Sequence, residues 1–362
     1  MSDVHQDRSP WQDELPEIGF YTLAGEAERP RDLMAEVRLA EELGIGHCFI
    51  SERWNTKEAA TISGAVGAAS TRIRIATAAT NHNLRHPVVT AAFATTMHRL
   101  TDGRFTLGLG RGVVPLQKAF GIPAITTAQL EEFAGIARRL FHGETVVGHD
   151  GAIGSYPALR LSPTFDEDVP LGLVAFGPQS LALGGRAFDQ VVLHTFFTDE
   201  TLKRSVATVK AAAEQAGRDP DQVKVWSCLA TVGDHLGEEQ RLRKTVGRLA
   251  TYLQGYGDLM VRTNGWDPAV LQRFRDDPVV RSFHEGGSMK VIDSPLTPLD
   301  KIEHIATILP AEWTAPAATG TPEQCAATIR SQLDLGADGV ILHGASPAEL
   351  APILPTYRAA RS

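Results

Sequence analysis

The fold class is most clearly indicated by residues 72–112, RIRIATAATNHNLRHPVVTAAFATTMHRLTDGRFTLGLGRG. This stretch begins with an apolar strand, RIRIATAA, and continues with a helix that starts at Pro87 and runs to about Leu100. The sequence TDG ends that helix, and the strand RFTLGLG follows at once. A strand, a helix and a second strand in this order predict two parallel strands joined by a crossover helix.

The same helix-to-strand junction recurs along the chain. It is seen in ELG/IGHCFI, LTDG/RFTLGLG, GGRAFD/QVVLHT and LGADG/VILHG, between residues 43 and 343. With VPLGLVAF and VKVWSCLATV, about eight strands are predicted, near residues 18, 46, 73, 105, 171, 190, 223 and 339. Eight alternating units favour an α/β fold of the (β/α)8 TIM-barrel type over an open, doubly wound sheet.

The domain organisation follows from the same reading. Residues 1–16 form a polar N-terminal arm, and residues 17–362 form a single barrel domain. A Gly-rich hairpin insertion is predicted at residues 143–163, and a long, charged, lid-like insertion follows strand seven at residues 236–315. Because insertions of a barrel sit on the side where active sites lie, the second one is a candidate lid.

Composition excludes several classes of protein. Lys and Arg total 35 against 43 Asp and Glu, a net charge of −8, which gives no general attraction to nucleic acid or to anionic membranes. The apolar stretches fall short of the roughly 18 residues that span a bilayer, and the start of the chain is unlike a signal sequence. Three widely separated cysteines offer neither a disulfide framework nor a zinc spacing. We expect a cytoplasmic protein.

Function must be read from the residues that follow each strand, which form one rim of the barrel. The motif LGLGRG has the spacing G-x-G-x-G rather than the G-x-G-x-x-G of a dinucleotide fold. It indicates either close approach of a flat ligand or glycines that simply let the chain leave the barrel.

The histidines near the rim give no metal signal. Pro87 keeps His82 and His86 off a shared helix face, so no metal site is expected. His194 and His343, at strand ends, are equally compatible with structural and catalytic roles.

Small residues dominate three neighbouring strand ends. ATAATN follows strand three, GRG follows strand four, and FGPQS follows strand five, where residues 178–180 open a helix whose N-terminus can receive phosphate. Backbone amides facing one cavity would suit a flat ring with a phosphate tail. Tight packing of Ala-rich strands and an ordinary helix start remain the alternatives.

Two stretches, FISERWNTKEAATISGAV at residues 49–66 and the segment 72–112, carry a family resemblance. RHP, the helix after it, and DGR before a glycine-rich strand end are typical of the bacterial luciferase-like superfamily of flavin and deazaflavin enzymes. The chain most resembles the branch that depends on coenzyme F420.

That resemblance implies a site on the barrel rim. The isoalloxazine-like ring would lie against a bulge after strand three that contains a non-prolyl cis peptide, here at Ala78–Ala79. The acidic residue after strand two corresponds to Glu52. Together with the strand-end pattern, the resemblance predicts cofactor-binding residues Thr77, Ala78, Ala79, Asn81, Gly110, Arg111, Gly112, Gly177, Pro178, Gln179 and Thr195.

The sequence also departs from the family pattern. In the sugar-phosphate dehydrogenase of this branch a His follows the strand-two acid and a Glu follows the strand-four glycines, whereas this chain has Arg53 and Val113. The lysine that binds substrate phosphate is replaced within HTFFT. Glucose-6-phosphate is therefore not the expected substrate.

The leading hypothesis is hydride transfer between bound F420 and a small organic substrate. The catalytic candidates are Glu52, which would anchor the ring edge or handle a proton, and Arg53 and His82, which would offset charge on the reduced ring. The alternatives are an FMN-dependent two-component monooxygenase and a non-catalytic cofactor-binding protein. A homodimer, and a flavin or F420 reductase that supplies reduced cofactor, are the expected protein partners.

Overall fold

The structure is a computed structural model that describes residues 14–24, 29–284 and 290–361. Its strands are, in chain order, β1 (Leu15–Tyr21), β2 (Ile45–Ile50), β3 (Arg74–Thr77), β4 (Phe105–Leu109), β5 (Val146–Gly151), β6 (Gly154–Leu159), β7 (Leu171–Val174), β8 (Gln190–Val192), β9 (Lys224–Gly233), β10 (Ala317–Gly320) and β11 (Gly339–His343).

Eight of these strands close into a parallel barrel. Their order is β9-β11-β1-β2-β3-β4-β7-β8, and the pairing of β8 with β9 completes the ring. The predicted (β/α)8 barrel is therefore confirmed. Sequence reading missed β10, which pairs in parallel with the far end of β9, from Ala317 opposite Ala230 to Gly320 opposite Gly233. The four residues AATG lack the apolar run that marks the other strands.

Helices surround the barrel and fill the insertion after β9. They are α1 (Leu33–Glu42), α2 (Ala59–Ala69), α3 (Pro87–Leu100), α4 (Val114–Ala119), α5 (Thr127–Phe141), α6 (Pro178–Ala187), α7 (Asp199–Gln215), α8 (Glu238–Leu242), α9 (Arg248–Asn264), α10 (Pro268–Asp276), α11 (Pro278–Arg281), α12 (Leu299–Ala306), α13 (Ala311–Thr314), α14 (Pro322–Asp334), α15 (Pro347–Leu350) and α16 (Leu354–Arg361). A π-helical turn, Arg243–Gly247, joins α8 to α9.

Local sequence explains where the main helices begin. Thr126 and Thr321 each form a capping box with the Gln three residues later, at the starts of α5 and α14. Proline occupies the first position of α3, α6 and α14, where its missing N–H costs no helical hydrogen bond. These signals fix where the chain turns from each strand end into the following helix.

Three apolar cores hold the molecule together. One fills the space between the barrel strands and their helices. A second lies mainly within the insertion, where the rings of Trp266 and Trp313 stack with centroids 4.5 Å apart. The third is smaller and is formed largely by side chains of the barrel strands, among them Phe49 and Trp226. The described part of residues 236–315 thus has a packed core and forms a wall beside the barrel.

The remaining segments add detail to the domain boundaries. Residues 143–163 contain the antiparallel hairpin β5–β6. Strand β1 starts at Leu15, inside the segment predicted as an arm, and residues 1–13 of that arm lie outside the described residues. Within the described part of the chain, we find no helix with the length and apolar character needed to cross a membrane.

Candidate active site

A cleft of about 2050 Å³ opens at the carboxyl ends of the barrel strands. Its floor is formed by residues that follow β3, β4 and β7, and one wall is formed by α9 of the insertion. The peptide bond between Ala78 and Ala79, at the end of β3, is cis, as the resemblance predicted. This is the rim position where active sites of barrel enzymes lie.

The ends of β3 and β4 are tied together by hydrogen bonds. The Thr80 N–H donates to the Gly108 carbonyl, and the Gly110 N–H donates to the Thr80 carbonyl, each at 3.0 Å. The Asn81 side-chain nitrogen donates to the Gly110 carbonyl at 2.7 Å, and the Asn81 side-chain oxygen accepts from the Trp54 indole N–H at 3.0 Å. The cleft floor is therefore built from paired backbone with few large side chains.

Two glycines of the LGLGRG motif are required by this close approach. A Cβ on Gly108 would lie 1.7 Å from the Thr77 carbonyl oxygen, and one on Gly110 would lie 2.8 Å from the Ala79 Cβ. Neither position accommodates a side chain without separating the two strand ends. Gly110 and Ala79 thus form a flat surface on which a planar ligand can rest.

Glu52 lies under this floor as a fully engaged carboxylate. Its side chain is 3% exposed and forms an ion pair with Arg85 at 3.1 Å. Its two oxygens also accept from the Ala59 N–H at 3.0 Å and from the Thr80 hydroxyl at 2.9 Å. The Glu52 carboxylate therefore ties the start of α2 to the bulge after β3.

Two guanidinium groups that line the cleft have N–H donors without a hydrogen-bond partner among the described residues. These donors are the buried Nε atoms of Arg53 and Arg111. One terminal nitrogen of Arg111 donates to the Thr127 hydroxyl, and burial lowers the pKa of this guanidinium. A buried donor without a partner is costly, so both groups favour an anionic or carbonyl-rich ligand in the cleft.

The start of α6 forms another part of the cleft edge. Gly177 is its N-cap and contributes no side-chain hydrogen bond, and Pro178 is its first residue. Gly177, Pro178 and Gln179 all line the cleft, and the latter two are exposed. A helix N-terminus of this kind favours negative charge.

The structure brings most of the predicted site residues together. Twelve of the fourteen line this one cleft: Glu52, Arg53, Ala78, Ala79, Asn81, Gly110, Arg111, Gly112, Gly177, Pro178, Gln179 and Thr195. Thr77 lies beneath the floor, where its hydroxyl bonds the Gly108 backbone at 2.8 Å. His82 lies outside the lining: its ring stacks on Phe133 with centroids 5.3 Å apart, and burial lowers its pKa to about 4.

Sequence reading missed the two tyrosines of an aromatic wall that lines the same cleft. Tyr252 and Tyr256, one turn apart on α9, pack their rings against His194, with centroids 4.7 and 5.5 Å away. Phe176 lies 4.5 Å from the same imidazole. The spacing of the tyrosines in TYLQGYG was the available signal, because residues four apart share a helix face. Burial raises the pKa of Tyr256 to about 12 and lowers that of His194 to about 4, so both side chains are neutral near pH 7.

Basic groups of the insertion form ion pairs at the edge of the cleft. Arg248 forms an ion pair with Asp293, whose second oxygen accepts from the Thr251 hydroxyl at 2.9 Å. Lys244 forms an ion pair with Glu349 at 2.9 Å. Over the described ranges, no group of three or more His, Cys, Asp or Glu is arranged to hold a metal ion.

This architecture defines a barrel protein with a deep ligand cleft at its carboxyl rim, floored by small residues and bordered by cations and aromatic rings. The chain belongs to the luciferase-like monooxygenase family, whose sequence model matches residues 15–339. The family assignment confirms the resemblance found from sequence.

Curated relatives include three reductases or dehydrogenases. A 5,10-methylenetetrahydromethanopterin reductase from Methanolobus tindarius is 26% identical over 310 residues, which cover 84% of this chain and 87% of that protein. An F420-dependent glucose-6-phosphate dehydrogenase from Beutenbergia cavernae is 31% identical over 185 residues, or 47% of this chain and 54% of that protein. A phthiodiolone/phenolphthiodiolone dimycocerosates ketoreductase from Mycobacterium tuberculosis is 30% identical over 190 residues, or 51% and 50%.

Solved structures share the fold at low sequence identity. The F420-dependent tetrahydromethanopterin reductase from Methanopyrus kandleri superposes with a TM-score of 0.75 at 17% identity, covering 94% of this chain and 97% of that one. An F420-dependent secondary alcohol dehydrogenase gives 0.68 at 18% identity, covering 96% and 99%. The monooxygenase RslO1 from Streptomyces bottropensis gives 0.63 at 18% identity, covering 95% and 98%.

Proposed function

We propose that this protein is an F420-dependent oxidoreductase that transfers a hydride between the deazaflavin and a small organic substrate. The observation that carries the proposal is the flat floor of Ala78, Ala79 and Gly110 beside two guanidinium groups with unpartnered Nε atoms. The three F420-dependent proteins among the relatives and neighbours already described support this choice of cofactor. The chain itself is an enzyme of the family's oxidoreductase type.

The floor fits a planar ring. Gly110 and Ala79 approach so closely that no side chain stands between them, which leaves a flat apolar surface. Asn81, fixed by Trp54 and the Gly110 carbonyl, holds that surface in place. When bound, F420 supplies a carbon centre that donates or accepts a hydride with two electrons.

Cations and a helix end would hold the charged parts of the cofactor. Arg53 and Arg111 line the same cleft, and their free Nε–H donors suit ring carbonyl oxygens or an anionic tail. The uncapped start of α6, at Gly177 and Pro178, suits a phosphate. Glu52 acts indirectly in this proposal, because its oxygens are already bonded to three donors that shape the floor.

The aromatic wall would receive the substrate. Phe176, His194 and Tyr256 are uncharged at neutral pH, pack against one another and line the cleft. An apolar wall excludes water from the reacting atoms and favours substrates with apolar groups. We therefore propose a small organic substrate without phosphate.

A second candidate is an FMN-dependent two-component monooxygenase, because the same flat floor suits either tricyclic ring. Such an enzyme would need a flavin reductase as a protein partner.

For either function we propose a homodimer. Val89 and Leu100 of α3 are 54% and 57% exposed, and because they are eleven residues apart they share a face of the helix. The three free cysteines suit the cytoplasm.

The discriminating experiment compares the two cofactors directly. We expect oxidised F420 to bind with a saturable change in its absorption spectrum, and reduced F420 to be reoxidised anaerobically when a ketone or aldehyde acceptor is added. The matched reaction contains reduced FMN, oxygen and the same compound. Oxygenated product with FMN and no binding of F420 would favour the monooxygenase, and tight cofactor binding without turnover in either reaction would favour the non-catalytic protein.

A further inference from the structure

The hydroxyl of Tyr252, on α9, stands in an environment that differs from that of its neighbour Tyr256. Tyr252 Oη lies 3.1 Å from Nε2 of His343, the last residue of β11. Arg248, one turn earlier on α9, lies close enough for its positive charge to act on Tyr252. Asp293 forms an ion pair with this guanidinium, and the Thr251 hydroxyl in turn donates to Asp293 at 2.9 Å. No comparable hydrogen bond engages the Tyr256 hydroxyl within the described ranges.

The direction of the Tyr252–His343 hydrogen bond follows from the rest of the imidazole. Burial holds the pKa of His343 well below its usual value, so the ring is neutral and carries one N–H. Its Nδ1 is buried and, as far as the structure describes the chain, has no partner. A buried acceptor without a partner is less costly than a buried donor without one. The hydrogen therefore sits on Nε2 and is donated to Tyr252.

His343 then donates its Nε2–H to the Tyr252 oxygen, and the nearby Arg248 is a cation that carries donors alone. Neither group can therefore take the phenolic hydrogen. Tyr252 lines the cleft, which leaves the cleft interior as the place where that hydrogen is donated. An oxygen atom of a bound molecule would complete the arrangement.

We propose that Tyr252 is the proton donor of this enzyme and that the substrate class is the aldehydes and ketones with an apolar substituent. This inference rests on the proposed function. The carbonyl oxygen accepts the Tyr252 hydroxyl, and the apolar substituent lies among Phe176, His194 and Tyr256. A donor at Tyr252 also fills the role left open by Arg53 and Val113, which cannot supply a carboxylic acid proton.

The reaction balances as a two-electron reduction. A hydride from the reduced deazaflavin forms the new C–H bond at the carbonyl carbon, and the proton of Tyr252 forms the new O–H bond as the carbonyl π bond breaks. The carbonyl becomes an alcohol, and the deazaflavin, which gives up the hydride to the substrate and a ring N–H proton to water, is oxidised by two electrons. The phenolate, stabilised by Arg248 and the His343 N–H, regains a proton from water in the cleft.

The protonation state of Tyr252 is compatible with this role. Burial raises the pKa of the phenol, and the nearby Arg248 opposes the rise. The group therefore holds its proton near pH 7, while a cation lies beside the oxygen that becomes negative during transfer. Arg248 and His343 act through Tyr252 and are positioning residues.

The test uses the full chain and benzaldehyde labelled with ¹³C at the carbonyl, with Tyr252→Phe and Tyr256→Phe as matched variants. Infrared difference spectra are recorded without cofactor. We expect the C=O stretch of benzaldehyde bound to the wild-type protein to shift to lower frequency, as a hydrogen-bonded carbonyl does. The shift should persist in Tyr256→Phe and disappear in Tyr252→Phe. No shift in the wild type, or an equal shift in both variants, would overturn the inference.

Steady-state kinetics with reduced F420 separate this inference from the proposed function. For Tyr252→Phe we expect kcat to fall at least 100-fold, together with loss of the solvent deuterium isotope effect on kcat. Tyr256→Phe should change KM more than kcat. Turnover by Tyr252→Phe at the wild-type rate would refute the donor role and leave the F420 function intact. If F420 neither binds nor reacts, the proposed function fails, and the infrared shift alone decides whether Tyr252 binds a carbonyl.

Discussion

Replacing Glu52 by glutamine tests whether this carboxylate holds the floor of the cleft or handles a proton. Both of its oxygens accept hydrogen bonds, from the Ala59 N–H, the Thr80 hydroxyl and the Arg85 guanidinium. A glutamine amide nitrogen cannot accept, so it would face one of these donors in a site where the native side chain is 3% exposed. The substitution also removes one charge of a buried ion pair.

The expected cost follows from these losses. Removing one member of a buried ion pair destabilises a protein by about 3–5 kcal/mol. Arg85 keeps contacts with Thr80 and Glu58, which places the expected loss for Glu52→Gln near the lower limit, at about 3 kcal/mol. With a urea dependence of about 3 kcal/mol per molar, the unfolding midpoint falls by about 1 M.

The assay is equilibrium urea unfolding of Glu52→Gln beside Glu58→Gln. Glu58 also pairs with Arg85, but its side chain is 45% exposed, and a glutamine there keeps an oxygen to accept from the Thr61 N–H. We expect the Glu58 variant to lose at most about 1 kcal/mol. A wild-type unfolding midpoint for Glu52→Gln, combined with loss of turnover, would refute the positioning role and make Glu52 a group that acts in the chemistry itself.

Three further predictions concern the floor, the cations and a buried histidine. Gly110→Ala should weaken F420 binding at least tenfold in an absorption titration, because its Cβ would lie 2.8 Å from the Ala79 Cβ and force the strand ends apart. Arg111→Ala should weaken F420 binding by about 10- to 150-fold, the effect of losing about 1.5–3 kcal/mol from a charged hydrogen bond. His82 has a pKa of about 4 in the fold, so between pH 6.5 and 4 the unfolded chain binds the extra proton and stability falls with falling pH. The His82 imidazole should lower the free energy of unfolding by up to about 1.4 kcal/mol for each pH unit of acidification in this range. In His82→Phe this loss should be absent, so urea unfolding should show a smaller drop in stability between pH 7 and pH 5 than in the wild type.

Each of these predictions has an outcome that contradicts it. Wild-type affinity in Gly110→Ala would mean that the floor does not contact the ring. Unchanged affinity in Arg111→Ala would remove this guanidinium from the cofactor site. An equally steep pH dependence in His82→Phe would show that other groups, such as the buried His47 with its pKa of about 3, account for the acid sensitivity.

The barrel could be predicted because its signals are local and repeated. Each strand is a short apolar run, and each helix begins at a proline or a capping residue that the sequence displays, as at Pro87, Pro178 and Thr321. Strand ends of a closed parallel barrel meet at one rim, so the small residues after β3, β4 and β7 could be placed in one cleft. The short strand β10 has no such run and was missed.

The rest of the site depends on contacts between distant parts of the chain. Tyr252 lies 91 residues from His343, its hydrogen-bond partner, and only the folded insertion brings α9 beside β11. The ion pair that engages Glu52 comes from Arg85, 33 residues away. His82 is a titratable residue close to the end of β3, but its ring stacks on Phe133 rather than lining the cleft. Strand periodicity places a residue on the rim and does not determine where its side chain points.

The ends of β3, β4 and β7 should together support a planar redox ring. A crystal structure of the protein with oxidised F420 would show whether they do. We predict the deazaflavin ring on Ala78, Ala79 and Gly110, with Arg111 in contact with the cofactor and the open ring face toward Tyr252. A ring bound elsewhere on the protein, or one separated from these strand ends by intervening side chains, would contradict it.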